Sequence, residues 1–90
     1  MTKYLKISQD LMHNERTSIA VETLLMANDK TDNKLKLEVL VSKSYVSLVK
    51  IKGPRKYVIE FINAISSCEL SKVFDFRVVK KWEVKYVCIC

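Results

Sequence analysis

Residues 34–42 alternate, with Leu35, Leu37, Val39 and Val41 at one parity and Lys34, Lys36 and Glu38 at the other. A two-residue period of this kind predicts a strand buried on one side. Residues 45–52 alternate again, Val46, Leu48, Lys50 and Lys52 against Tyr45, Ser47, Val49 and Ile51. The polar connection Ser42-Lys43-Ser44 is short, so the two strands form an antiparallel hairpin. Gly53 ends it. Pro54 suits a first helical position, where its missing N–H costs nothing. Tyr57, Val58, Phe61, Ile62, Ile65 and Cys68 then recur at spacings of three and four, which predicts an amphipathic helix over residues 54–68.

The two ends of the chain carry less regular patterns. Tyr4, Leu5 and Ile7 predict a short strand. Residues 15–27 fit a helix presenting Ile19, Ala20, Thr23, Leu24 and Ala27, with Asn14 as N-cap and Glu15 in the first turn. Thr17, Ile19, Val21, Thr23 and Leu25 also alternate, so a strand competes with that helix. From residue 74 onward Phe74, Phe76, Val78, Trp82, Val84, Tyr86, Cys88 and Cys90 share one parity, broken at Lys80. A strand of that length would span roughly 50 Å at about 3.3 Å per residue. The expectation is therefore a long C-terminal strand that pairs with another chain, or a hairpin bending near Lys80-Lys81.

The order strand, helix, hairpin, helix, long strand resembles the split βαβ arrangement of ferredoxin-like folds, an α+β sandwich. The alternative is an antiparallel sheet with a single helix. Ninety residues allow one domain, residues 1–90, with little room for a deep active site. An apolar fraction of 49% with a single Gly and a single Pro excludes disordered and collagen-like designs.

Sixteen Lys and Arg against ten Asp and Glu give a net charge of +6, which points toward anionic partners. The charge is uneven. Residues 1–33 hold four basic and five acidic groups, a sum of −1, and residues 34–90 hold twelve and five, a sum of +7. Lys50, Lys52, Arg55 and Lys56 flank the Gly53-Pro54 turn, where a helix N-terminus offers unpaired N–H groups to a phosphate. Arg77, Lys80, Lys81 and Lys85 form a second basic run interleaved with Trp82 and Tyr86, the mixture of cations and flat rings that single-stranded nucleic acid uses.

Catalytic chemistry finds no constellation. His13 is the only histidine, and no Gly-rich phosphate loop, nucleophile elbow or paired-histidine zinc motif occurs. Cys68, Cys88, Cys90 and His13 would make a zinc set only by coincidence of folding, so no metal or other cofactor is expected. The ending Cys88-Ile89-Cys90 resembles the doubly prenylated terminus of vesicle-transport small GTPases over those three residues alone, and a buried strand end is preferred. The start lacks a signal-peptide pattern and no run spans a bilayer, which with three odd cysteines predicts a cytoplasmic, non-membrane protein.

The function expected is a small basic, non-enzymatic binding module for nucleic acid, contacting phosphates through Lys50, Lys52, Arg55 and Lys56 and through Lys80, Lys81 and Lys85. The alternative is a protein-binding inhibitor or adaptor of the kind viruses and mobile elements encode, acting by strand addition through its C-terminal strand. A homodimer built through residues 82–90 is expected, with Trp82, Val84, Tyr86, Val87 and Ile89 at its interface.

Overall fold

The computed structural model describes residues 1–10, 15–30 and 34–89. Strand β1 (Thr2–Gln9) is followed by helix α1 (Thr17–Lys30) and by the hairpin of β2 (Lys36–Ser42) and β3 (Val46–Lys52). Helix α2 (Arg55–Ser67), the single turn α3 (Leu70–Val73) and strand β4 (Phe74–Val79) come next, and a 3₁₀ turn (Lys81–Glu83) leads into α4 (Val84–Ile89). The architecture is α+β. The four strands lie in the order β2-β3-β1-β4 with every neighbouring pair antiparallel. It follows that β1 and β2 run the same way with β3 between them, and β3 and β4 run the same way with β1 between them.

The hairpin matches its pattern. Its two-residue turn is closed by the Lys43 N–H donating to the Val46 carbonyl at 2.9 Å. One departure follows from a β-bulge between Val39 and Val41, where the register steps from Val39 opposite Val49 to Val41 opposite Leu48. The extra residue moves Val41 to the other face, so the predicted grouping of Leu35, Leu37, Val39 and Val41 is broken after Val39.

Residues 17–30 are helical, but the helix is rotated from the expected orientation. Thr17, Ala20, Val21, Leu24 and Asn28 are buried, whereas Ile19, Thr23 and Ala27 are exposed. The cause is polar. Thr17 is fully buried and its hydroxyl donates to the Lys43 carbonyl, while its N–H donates to the Ser44 carbonyl at 3.0 Å. Those bonds fix the helix against the hairpin turn, and Asn28 anchors the far end through Nδ2 to the Leu35 carbonyl at 2.8 Å. The proposed cap Asn14 lies outside the described residues.

Helices α1 and α2 share one face of the sheet. Ala20, Val21 and Leu24 from α1 and Val58 and Ile65 from α2 form one cluster with Leu5, Ile7, Val49, Ile51 and Phe74. Pro54 precedes α2 as its N-cap (φ −58°, ψ 138°), one position before the first helical residue where it was expected. Gly53 sits where nothing larger fits: a Cβ there would stand 2.7 Å from Leu35 Cδ2 and 3.2 Å from the Lys34 carbonyl oxygen.

The long C-terminal strand, and the hairpin offered in its place, are both overturned. Strand β4 stops at Val79, which is opposite Tyr4, when only Lys3 and Thr2 of β1 remain beyond. An extension past that point would leave backbone groups on both edges unpaired. The chain instead turns at Lys80, and its parity pattern becomes a helical one. Val84 packs inward against the cluster of Val46, Leu48 and Val79, as Tyr4, Leu40 and Val41 also do, while Trp82 and Tyr86 are exposed.

Candidate nucleic-acid interface

Register partners share a face, so the pairings define what the helix-free side of the sheet presents. Its rows are Lys36, Lys52 and Thr2; then Glu38, Lys50, Tyr4 and Val79; then Val41, Leu48, Lys6 and Arg77; then Val46, Ser8 and Asp75. Five basic side chains (Lys6, Lys36, Lys50, Lys52, Arg77) meet two acidic ones (Glu38, Asp75) on this face. Two of the pairs are like-charged, since Lys36 lies opposite Lys52 and Lys6 lies opposite Arg77. Like charges directly opposite each other destabilise a sheet. The apolar Val46, Leu48 and Val79 of the same face pack with Tyr4, Leu40, Val41 and Val84, while Lys36, Lys52 and Arg77 stay exposed and Lys6 and Lys50 are half-buried.

A groove of about 580 Å³ runs along the end of this face, lined by Lys3, Tyr4, Lys50, Val79, Lys80 and Lys81 among others. The sheet itself makes this meeting. Tyr4 is opposite Lys50 on one side and opposite Val79 on the other, so β3 and the residues after β4 are brought to the same spot across β1. Lys50 therefore joins Lys80 and Lys81, which lie thirty and thirty-one positions away in the sequence. Three cations gathered in one groove attract an anion.

Lys85 lies on α4 with Nζ 5.5 Å from the centroid of the Tyr86 ring. Trp82 and Tyr86 are 61% and 57% exposed, and their rings meet edge to face at 6.2 Å. The segment expected to pair with another chain as a strand is helical instead. Val84 is taken up by its own sheet, Trp82 and Tyr86 are outside it, and Val87 and Ile89 belong to α4 and to no strand. Among the described residues after Val79 there is therefore no strand to add to a partner's sheet.

No family model, curated protein or solved structure matches the chain. The site is thus carried by its own geometry.

Lys52 is exposed on the open face beside a second groove of about 660 Å³, which Lys34, Lys36 and Asp29 also line. Arg55 and Lys56 are exposed in the first turn of α2, and neither lines the first groove. That turn has no side-chain cap, and its first helical bond is the Val58 N–H to the Pro54 carbonyl at 3.1 Å. The site residues missed from the sequence are Lys3, Tyr4, Lys6 and Lys36. The parity of β1 would have located two of them, because Tyr4 and Lys6 must face away from the buried Leu5 and Ile7.

His13 and Cys90 lie outside the described residues. Cys68 is a half-buried free thiol whose Sγ donates to the Ile65 carbonyl at 3.2 Å. Among the described residues no group of three His, Cys, Asp or Glu side chains is placed to hold a metal. No described helix is long and apolar enough to cross a membrane.

Proposed function

We propose that the protein is a non-enzymatic nucleic-acid-binding module that takes the phosphate backbone on the open face of its sheet. The observation that carries this reading is the excess of cations on that face, with Lys36 opposite Lys52, Lys6 opposite Arg77, and Lys50, which has Glu38 opposite it, sharing a groove with Lys80 and Lys81. A free protein is destabilised by such like-charge pairs, and a polyanion removes the penalty. The interleaving of β1 with the β3–β4 crossover, and of β3 with the β1–β2 crossover, supports assigning the sheet to the ferredoxin-like pattern. In that arrangement the face opposite the helices is free for a ligand. Fluorescence anisotropy with labelled oligonucleotides at increasing salt tests the reading. Affinity falls steeply with salt and is weakened in Lys50→Glu and Lys81→Glu; a salt-independent affinity would refute it.

A protein-binding reading is favoured by one separate observation. Among the described residues strand β4 pairs only with β1, so its outer edge has no strand partner there, and Val78 on it is exposed. A stoichiometric protein retained after nuclease treatment would select this reading.

A further inference from the structure

We infer that the nucleic acid bound by this face is single-stranded, with bases stacking on Trp82 and Tyr86 while the phosphates run past Lys81 and Lys80 into the groove at Lys50. The inference rests on the open face being a phosphate-binding surface. Trp82 directly follows Lys81, the last residue lining the groove, and is itself 61% exposed just beyond it in the chain. The C-terminal segment is held to the sheet by Val84, and the two aromatic rings flanking that anchor point away from the apolar contact. A docking role for the segment alone needs only Val84; it leaves the largest apolar surfaces of the segment outside, where water penalises them.

The ring planes are 87° apart with centroids at 6.2 Å. Perpendicular rings cannot clamp one base between them, so each offers a platform to a different base. Lys85 Nζ lies beside the Tyr86 ring and Lys81 immediately precedes Trp82 in the chain, the mixture of charge and flat ring that a flexible strand uses. A duplex keeps its bases stacked on one another and presents only their edges, so it cannot use the rings without being unstacked.

Trp82 is the only tryptophan in the chain, so its emission reports on this contact directly. The full-length protein is titrated with a short oligothymidylate, a duplex of equal length, heparin and phosphatidylserine vesicles. Oligothymidylate is expected to quench Trp82 over the concentrations at which it binds, whereas heparin binds without that quench. Trp82→Ala weakens oligothymidylate binding about ten-fold to a hundred-fold, Trp82→Phe restores most of it, and heparin affinity is unchanged in both. Oligothymidylate bound with Trp82 unquenched, or bound equally well by Trp82→Ala, overturns the stacking inference and leaves the phosphate-binding face standing. Quenching by vesicles and not by oligothymidylate overturns it in favour of a membrane surface. Failure of heparin and both nucleic acids to bind overturns the inference and the reading beneath it together.

Discussion

Thr17 and Ser47 are both fully buried, and their hydroxyl oxygens lie 2.7 Å apart between α1 and the central strand β3. The single hydroxyl proton of Thr17 goes to the Lys43 carbonyl, so Ser47 donates to Thr17. This chain of three groups couples the first turn of α1 to the hairpin and sets which side of the helix meets the sheet. Thr17→Val removes the centre of the chain and leaves Ser47 and the Lys43 carbonyl buried without it. The expected loss is about 1–3 kcal/mol, read as a lower urea midpoint at unchanged slope. Thr17→Val combined with Ser47→Ala costs less than the sum of the single changes, because the second removes a group that the first has orphaned.

Gly53 is required by close approach. Gly53→Ala forces Leu35, buried at the start of β2, to shift from a Cβ 2.7 Å from its Cδ2. Overpacking of this kind costs about 1–3 kcal/mol, visible as a fall in melting temperature. The same substitution in a Leu35→Ala background costs less, since the clashing methyl is gone. An equal cost in both backgrounds would show that Leu35 is not the obstacle.

Val84 holds the C-terminal segment over Leu48 and Val79. Val84→Asp should release it, and trypsin should then cut after Lys80, Lys81 and Lys85 about ten-fold faster, the factor expected for roughly 1.4 kcal/mol of lost apolar contact. Deleting residues 80–90 uncovers Val46, Leu48 and Val79 and should promote association in light scattering. A dimer joined through the tail would respond in the opposite sense, by falling to monomer.

Much of this arrangement is legible in the sequence where a local period and its cause coincide. The hairpin is, because Val46 and Leu48 oppose Val49 and Ile51 with a polar turn beside them. Helix α2 is as well, because Val58, Phe61, Ile62 and Ile65 recur at helical spacing with no competing alternation. In α1 the apolar stripe alone suggests a face containing Ile19, and only the buried hydrogen bonds of Thr17 rotate it to Ala20 and Leu24. The tail is read as a strand because its parity pattern is genuine. What limits it is that β1 offers only Lys3 and Thr2 beyond Tyr4, a long-range fact with no local mark at Lys80. The meeting of Lys50 with Lys80 and Lys81 is equally non-local, since it depends on β1 lying between β3 and β4.

The like-charge pairs give a trade between stability and binding. Lys36→Glu places a carboxylate opposite Lys52, and Arg77→Glu places one opposite Lys6. Each should stabilise the free protein by about 0.2–1 kcal/mol while weakening its hold on a polyanion. Thermal melts and anisotropy titrations on the same samples check both halves. A variant that binds less and is also less stable would show that the replaced cation serves the fold.

The most direct test of the phosphate-binding face is the slope of log affinity for oligothymidylate against log salt concentration, measured for the native chain and for Lys50→Glu, Lys80→Glu and Lys81→Glu. Three phosphate contacts predict a slope of about −2, and each single reversal should flatten it by about 0.7. A slope near zero in the native chain, or one unchanged by all three reversals, would contradict the account.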